Sequence, residues 1–510
     1  MDPVMPESSL LNTPMNVSSV SQPIDTGDLN LSRFSLANKK LSRQEALFHA
    51  IQEKIIEGLW PKGGKLPSTR KLAVELHVSR NTVIFAYEQL AAEGYINSKK
   101  GSGFYVAVKL PEQYLFKSGE TSTIAVDKIA PLCVNPLNMN SAFAPGIPDL
   151  SAFPHAKWQR FLQRHTSRNG LLGNQSIQGE LSLREALSDY LASSRSVRCN
   201  PERIIITSGA QQALSIAVMA ALGRDSAVLM EDPGYIQMRK VLQLFGIPIE
   251  NVKVHEHQGL DLDAVLKSKA QALYVTPSNQ YPMGTTLNTE QRLQLIEWAS
   301  QSNRWLIEDD YDSEFQFAHR PYTSLQGLAG QMGKDGHVLY IGSFSKVMFN
   351  GLRLGYLVAP EHLVERCLTI KDALSGDSPT HTQAALADFI IEGELLRHIR
   401  KMRRLYQAKH QTLVAAITRT FSGRLEVISQ AAGLHITVKW HGGISEQDWC
   451  ARAQSIGIII RPLTFYESDR DNNDTNGTES REWRSVVMGF GNIALTDIEP
   501  TIAQLADVFD

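Results

Sequence analysis

Cysteine is scarce in this sequence: Cys133, Cys199, Cys367 and Cys450 are the four thiols in 510 residues, and they lie far apart. Neither the Cys-x-x-Cys spacing of a zinc site nor the density of a disulfide scaffold is there, so reduced thiols and no metal site are expected. Long apolar runs are lacking too. None approaches the roughly 18 residues that a membrane span needs, and the first 30 residues hold no basic start followed by an apolar core. A cytoplasmic location without membrane contact is therefore expected. Nor does one sign of charge dominate. Lys and Arg number 51 against 53 Asp and Glu, which excludes a whole-molecule field drawing in nucleic acid or an anionic membrane. Any contact with DNA has to be local.

What is present is length and apolar content. A chain of 510 residues, 43% of them apolar, exceeds what one core supports, so at least two domains are expected. Residues 1–40, rich in Ser, Asn, Pro and Asp, cannot repay the entropy of ordering and read as a flexible tail. Residues 41–108 read as short helices ending in a glycine-containing hairpin, and Leu41 to Ala107 carries nine Lys and Arg against six Asp and Glu. Residues 109–140 read as a linker, and 141–510 as a second domain. There, RIIIT (203–207), AVLME (227–231), ALYVT (272–276), WLIED (305–309), VLYIG (338–342) and LGYLVA (354–359) are short apolar runs that fit strands buried on both faces. Helical stretches at 209–222, 234–245 and 289–302 alternate with them, so an α/β fold with a mainly parallel sheet is expected. The polar stretch 467–480 reads as an exposed insertion loop.

In LPSTRKLAVELHVSRNTVIFAYEQLAAEGYINSKKGSGFYV (66–106), Ser68 can cap a helix that carries Leu72, Ala73 and Leu76 toward a core. His77 and Val78 make a turn, and Ser79 can cap a second helix with Val83, Ala86, Tyr87 and Leu90 at helical spacing. Arg80, Asn81 and Thr82 stay at its exposed first turn. The second helix of such a pair enters the major groove N-terminus first, where Arg suits guanine and Asn suits adenine. The hairpin from Tyr95 to Val106 places Lys99 and Lys100 beside Gly101 and Gly103, as a phosphate-contacting wing would. By pattern alone a small helical interaction domain is an alternative. The wording, however, resembles the winged-helix domain of GntR-type regulators, in L-P-S-x-R, V-S-R-x-T-V, A-Y-x-x-L and E-G-Y followed by G-S-G. That resemblance implies contact with double-stranded operator DNA through Arg70, Arg80, Thr82 and the Gly101–Gly103 wing; Ser68, Ser79, Asn81, Lys99 and Lys100, at the helix starts and on the wing, complete the expected DNA-binding set.

The second domain carries polar residues where strands end, the place where open α/β sheets bind ligands. TSGAQQAL (207–214) can seat a phosphate on the amides of Gly209, Ala210 and Gln211. WLIEDDYDSEF (305–315) crowds Glu308, Asp309, Asp310 and Tyr311 at the end of a strand, a like-charge cluster that calls for a cationic ligand or an exposed loop. YIGSFSK (340–346) ends another strand with Ser343, Ser345 and Lys346, and Arg353 follows. A pyridoxal 5'-phosphate site needs an amine, a carboxylate for the ring nitrogen, a donor near the ring oxygen, and cations with amides for the phosphate. All four are available.

From about Ala142 onward the sequence resembles fold-type I aminotransferases, and its union with a GntR-type head resembles the MocR-like regulators. The resemblance implies Lys346 as the Schiff-base lysine and Asp309, with Asp310 in reserve, as the partner of the pyridinium nitrogen. It implies Tyr311 as the ring-oxygen donor, Ser343, Arg353 and Gly209 to Gln211 as phosphate ligands, and Tyr235 as a stacking ring. Asn279, Gln280 and Tyr281 share the segment that carries an asparagine near the ring oxygen, and the choice among them stays open. For an effector carboxylate Arg484 is the expected residue, with Arg461 and Arg481 as alternates. The resemblance also implies a homodimer and a smaller C-terminal α/β part.

Three readings follow. The first is a transcription regulator that binds pyridoxal phosphate and senses it or an amino compound reacting with it. The second is an aminotransferase with an accessory DNA-binding head. The third is a DNA-binding protein whose large domain is only a dimerisation scaffold. The complete head motif favours regulation, since a metabolic enzyme has no evident use for it, and a scaffold does not require Lys346 or Asp309.

Overall fold

The computed structural model describes Ile24, Leu29 and residues 42–108, 141–223, 226–317, 322–468 and 481–510. The rest of the expected tail, the expected linker 109–140 and residues 469–480 of the expected insertion loop lie outside the described residues. The chain divides into two compact units, Met1–Leu132 and Cys133–Asp510.

In the first unit, α1 (Arg43–Ile56) opens with a capping box in which Ser42 and Glu45 satisfy each other's backbone N–H groups. Helix α2 (Thr69–Glu75) is capped by Ser68, whose hydroxyl accepts from the Lys71 amide at 3.2 Å. Helix α3 (Arg80–Ala92) is capped by Ser79, accepting from the Thr82 amide at 3.1 Å. Strands β1 (Ile96–Lys99) and β2 (Gly103–Val106) pair antiparallel, and Gly101 and Gly103 turn the hairpin with φ of +78° and +108°, a region costly for residues with a Cβ. The core joins Leu47, Ile51, Leu72, Val83, Ala86, Tyr87, Leu90 and Ile96. It also takes in Leu29, with Ile24 packed against it. These two residues were expected in a flexible tail; their side chains are apolar and find cover on the head, so the tail reading does not hold at their positions.

In the second unit, the strands are β3 (Ile204–Thr207), β4 (Val228–Asp232), β5 (Ile249–His255), β6 (Gly259–Leu260), β7 (Ala272–Val275), β8 (Trp305–Asp310), β9 (Val338–Ser343), β10 (Gly355–Val358), β11 (Glu426–Val427), β12 (His435–Trp440), β13 (Arg461–Pro462) and β14 (Arg484–Gly489). Among the described residues they form an eight-stranded sheet, β3-β10-β9-β8-β7-β4-β5-β6, and a four-stranded antiparallel sheet, β11-β12-β14-β13. In the large sheet β9, β8, β7, β4 and β5 pair in parallel, while β10 runs against both β9 and β3. Strands β3, β4, β7, β8, β9 and β10 face core on both sides. Tyr274 and Ile307 pack with the helices Ala210–Ala221 and Ile236–Leu244, whereas their neighbours Leu273 and Leu306 pack with the helix Thr289–Gln301. That alternation explains why the strand sequences read as unbroken apolar runs. Among the described residues no helix is long and apolar enough to cross a membrane.

Because β3, β4, β7, β8 and β9 share one direction, their carboxyl ends lie along one edge. Gly209, Tyr235, Asn279, Asp309 and Lys346 each follow or end one of these strands. Strand β10 reaches the same edge with its start, where Gly355 pairs with both Ser343 and Thr207.

Candidate functional site

In the head, the inward stripe of α3 is Thr82, Val83, Ala86, Tyr87 and Leu90, all buried. Ser79, Arg80 and Asn81 at its start are exposed, as are Ser68 and Arg70 and the wing residues Lys99, Lys100, Gly101 and Gly103. Arg80 Nε lies 3.5 Å from Thr69 Oγ1, beside the start of α2. Thr82 departs from expectation. Its side chain is buried and shares a 2.8 Å hydrogen bond with the Ser79 hydroxyl, because the third residue of a capped helix lies over its own cap; it steadies the first turn rather than facing outward.

In the large domain the central pair is Lys346 and Asp309. Lys346 Nζ donates to the Gly146 carbonyl. Burial pushes its amine down to about 8, against the opposing pull of Asp312 and Asp309. Asp309 is 4% exposed. Its Oδ2 accepts from the Tyr274 hydroxyl at 2.8 Å, and its Oδ1 has no hydrogen-bond partner among the described residues. Burial pushes this carboxyl up to about 7. Asp310, the reserve, is spent elsewhere: Arg195 grips it through Nε at 2.6 Å and Nη2 at 3.1 Å, and Tyr340 donates to it at 2.6 Å. Successive residues of a strand point to opposite faces, so only one of the two can face the ligand edge.

The phosphate-type elements gather at the other end of the edge. Gly209 precedes the helix Ala210–Ala221 with φ +93°, and a Cβ there would come within 3.2 Å of the Arg353 guanidinium. Arg353 donates to the Ser208 carbonyl at 2.9 Å. Glycine at 355 is needed as well, since a Cβ would lie 2.8 Å from the Gly209 carbonyl carbon. Ser343 hydroxyl accepts from the Ser345 amide at 3.1 Å and donates to the Ser345 hydroxyl at 2.9 Å. The Gln211 side chain donates to Gln237, leaving the backbone amides as the groups aimed out of the helix start.

Aromatic rings wall the site. Tyr281 lies edge-on to Tyr235 at 6.1 Å, Tyr311 at 5.8 Å, Tyr466 at 5.2 Å and His435 at 4.9 Å. Asp309 and Arg353 both act on the Tyr235 hydroxyl, whose pKa burial pushes up first of all. Tyr311 donates to the Asn279 carbonyl at 2.8 Å. Of the three residues left open, Gln280 is bound to the Pro233 and Tyr281 carbonyls and to the Met283 amide, and the Tyr281 hydroxyl is paired with Tyr466 at 3.0 Å. Asn279 donates to both oxygens of Asp312 at 3.1 Å and keeps a buried, unpartnered Oδ1.

Arg484 is misplaced by the sequence reading. Its guanidinium binds the carbonyls of Gly442, Gly443 and Ile444. It also starts β14, whereas the other end of that strand, Gly489, approaches Ala144 and Pro145 beside Gly146; five strand residues span roughly 16 Å. Arg481 is held by Glu446 at 2.8 Å and Glu467 at 2.9 Å. Arg461 pairs with Val487, about 7 Å from Gly489 at strand rise. Its guanidinium lies over the Phe465 ring at 5.3 Å, has no carboxylate partner among the described residues, and acts on Tyr281 and Tyr466.

Several contributors escaped the sequence reading. Asp312, buried and pushed up to about 8 by its burial, stands next to Lys346 in effect and was visible only as one more acid of the EDDYDSE run. Tyr274, Gly146 and His435 come from segments with no local signal of a site.

Comparison with known proteins identifies both domains. Residues 43–106 match the bacterial regulatory proteins of the gntR family, and residues 145–470 match aminotransferase class I and II. The probable rhizopine catabolism regulatory protein MocR of Rhizobium meliloti is 34% identical over 83% of this chain and 87% of its own length. The HTH-type pyridoxine biosynthesis transcriptional regulator PdxR of Corynebacterium glutamicum is 31% identical over 90% of this chain and 94% of its own. Among solved structures, the alpha-aminoadipate aminotransferase LysN of Thermus thermophilus, complexed with N-(5'-phosphopyridoxyl)-L-leucine, superposes with TM-score 0.65 at 24% identity, covering 72% of this chain and 92% of that one. The kynurenine aminotransferase of Pyrococcus horikoshii gives 0.66 at 22% identity, over 76% and 96%. Likeness at that identity establishes the fold alone. The chain belongs to the MocR-like group of GntR-type transcription regulators, DNA-binding proteins that join a helix-turn-helix head to an aminotransferase class I and II domain.

Proposed function

We propose that this regulator binds pyridoxal 5'-phosphate in its large domain and reports an amino compound that reacts with the cofactor, or the cofactor itself, to its DNA-binding head. The observation that carries this reading is the buried Asp309 carboxyl, whose Oδ1 meets no donor among the described residues and which feels the charge of the nearby Lys346 amine. A donor facing that oxygen would complete it, and a protonated pyridine nitrogen would provide one. The amides of Gly209, Ala210 and Gln211, with Arg353 and Ser343, would hold the phosphate. Tyr235 would lie against the ring, and Tyr311 and Asn279 would meet its oxygen. When bound, the cofactor supplies an aldehyde that condenses reversibly with primary amines.

Lys346, lowered to about 8, holds an appreciable neutral fraction near pH 7, the form in which an amine can condense with an aldehyde. Asp309 would hold the nitrogen end of the cofactor ring. Arg461 takes the effector carboxylate in place of Arg484, since it is the one arginine of the three still free to do so. The head reads bases with Arg80 and Asn81, while Arg70, Lys99 and Lys100 hold phosphates. A homodimer on paired half-sites is the expected assembly, checked by light scattering. For the effector to alter operator binding, its affinity has to differ between two states of the protein.

The deciding experiment loads the purified chain with pyridoxal phosphate, records its visible absorbance, reduces it with borohydride and maps the modified peptide. A band lost on reduction, with the adduct on Lys346, supports the reading. A chain that cannot be loaded leaves the large domain as a scaffold and removes the cofactor assignments, while the DNA-binding role of the head stands.

A further inference from the structure

Helix α3 buries Thr82, Val83, Ala86, Tyr87 and Leu90, so its opposite face is fixed by geometry. At 100° per residue, positions 81, 85 and 88 fall within about 60° of one another on that face. Asn81, Phe85 and Glu88 are all exposed there, with Ile84 half-covered beside them. Phe85 is the anomaly: the residue is 47% exposed, one turn beyond Asn81. The other large apolar side chains exposed in the head, Ile56, Leu59 and Val74, lie outside α3, and isolated cases of that kind need no special cause.

We infer that Phe85 is a base-reading residue, packing in the major groove against the 5-methyl group of a thymine next to the base met by Asn81. This rests on the DNA-binding role of the head and deepens it. A phenyl ring cannot donate to or accept from a base edge; the thymine methyl is the one apolar group that the major groove displays. Residues at the start and in the second turn of a recognition helix are those that reach base edges. The charges around the ring fit the same occupant. Arg70, Arg80, Lys99 and Lys100 stand exposed on the head, and the amides at the start of α3 add positive potential. Glu88, one turn further along, would repel a phosphate and so limits the close approach to the first two turns.

The test uses the full chain at one fixed salt concentration. Sequences are selected from a random duplex pool by the wild type and by Phe85→Ala. Each thymine of the preferred site is then replaced in turn by deoxyuridine, which lacks the methyl group and keeps every hydrogen-bonding atom. The expected result is a thymine preference in the wild type that Phe85→Ala loses at that position only. One deoxyuridine should weaken the wild type about fourfold, the worth of a buried methyl group, and leave Phe85→Ala unaffected. The same selected sequence from both proteins, or a loss on deoxyuridine substitution that is equal in both, overturns the inference and points to a second protein surface over Phe85. A wild type that selects no sequence overturns the reading of the head as a DNA reader, and the inference with it. The deoxyuridine series on the wild type needs no variant, so the outcome does not depend on how Phe85→Ala folds.

Discussion

The head and the large domain put their working residues in opposite surroundings. Arg80, Asn81, Lys99 and Lys100 stand in water on a small core that does not need them, whereas Asp309 and Asp312 are drawn out of water at the edge of a large sheet, with the Lys346 amine lowered beside them. In the first case solvent has already settled the charge, and binding DNA exchanges water and counterions for phosphates and bases. In the second, charge is held at a standing cost that a ligand of the right sign relieves. Function and stability should therefore separate in the head and be coupled in the large domain.

The largest effect expected is on Lys346→Ala: complete loss of cofactor fixed by borohydride, read by peptide mass. Operator binding without effector should persist, and its response to the effector should vanish; an unchanged response would break the link between the two regions. Arg80→Ala should come next. It should lose roughly 5- to 150-fold in affinity for the selected operator, the worth of one good base contact, with random DNA less affected and the melting temperature unchanged. A loss equal on both DNAs, measured by fluorescence anisotropy, would remove Arg80 from the base readers.

Asp309→Asn sharpens the comparison from the other side. With its carboxyl pushed up to about 7 from the ordinary 3.8, the native chain keeps a proton that the unfolded chain releases between those values. The stabilisation is complete below about pH 4 and is lost as pH rises through about 7. Without cofactor, the melting temperature of the wild type should fall between pH 5 and 7.5, and that of Asp309→Asn should fall less, by roughly 2–4 °C. Parallel curves would mean that Asp309 is solvated in solution. The smallest effect should be that of Lys99→Ala, which should reduce the slope of log affinity against log salt by about one and weaken specific and random DNA alike.

The same contrast governs what could be read without coordinates. Strands β3, β4, β7, β8, β9 and β10 were legible because burial on both faces leaves an unbroken apolar run. Strands β11 and β13, of two residues each, carry too little pattern to be seen, and β5 alternates between cover and exposure at the sheet margin. The head could be read nearly whole, since Ser68, Ser79 and the spaced apolar residues act within a turn or two of one another. Thr82 failed because only the folded cap shows which way its hydroxyl turns. In the site, segments ending strands were recognisable, but the allocation within them was not. That Asp310 belongs to Arg195 and Tyr340, and Asp309 to Tyr274, depends on contacts across tens of residues. Arg484 was correctly expected at the start of a strand; which end of that strand approaches Gly146 is decided by pairing with β12 and β13, and local sequence is silent about that.

Strand β10 carries a last consequence. Since it runs against β9, the chain returns to the same edge through one short connection, residues 344–354, instead of a helical crossover. Lys346 sits on that connection and Arg353 near its far end. Amine and guanidinium are thus carried by one eleven-residue connection whose flanking residues, Ser343 and Gly355, are paired across the sheet. One short segment therefore brings a buried amine and a guanidinium to the same edge, so a single substitution that altered the path of residues 344–354 should disturb both at once.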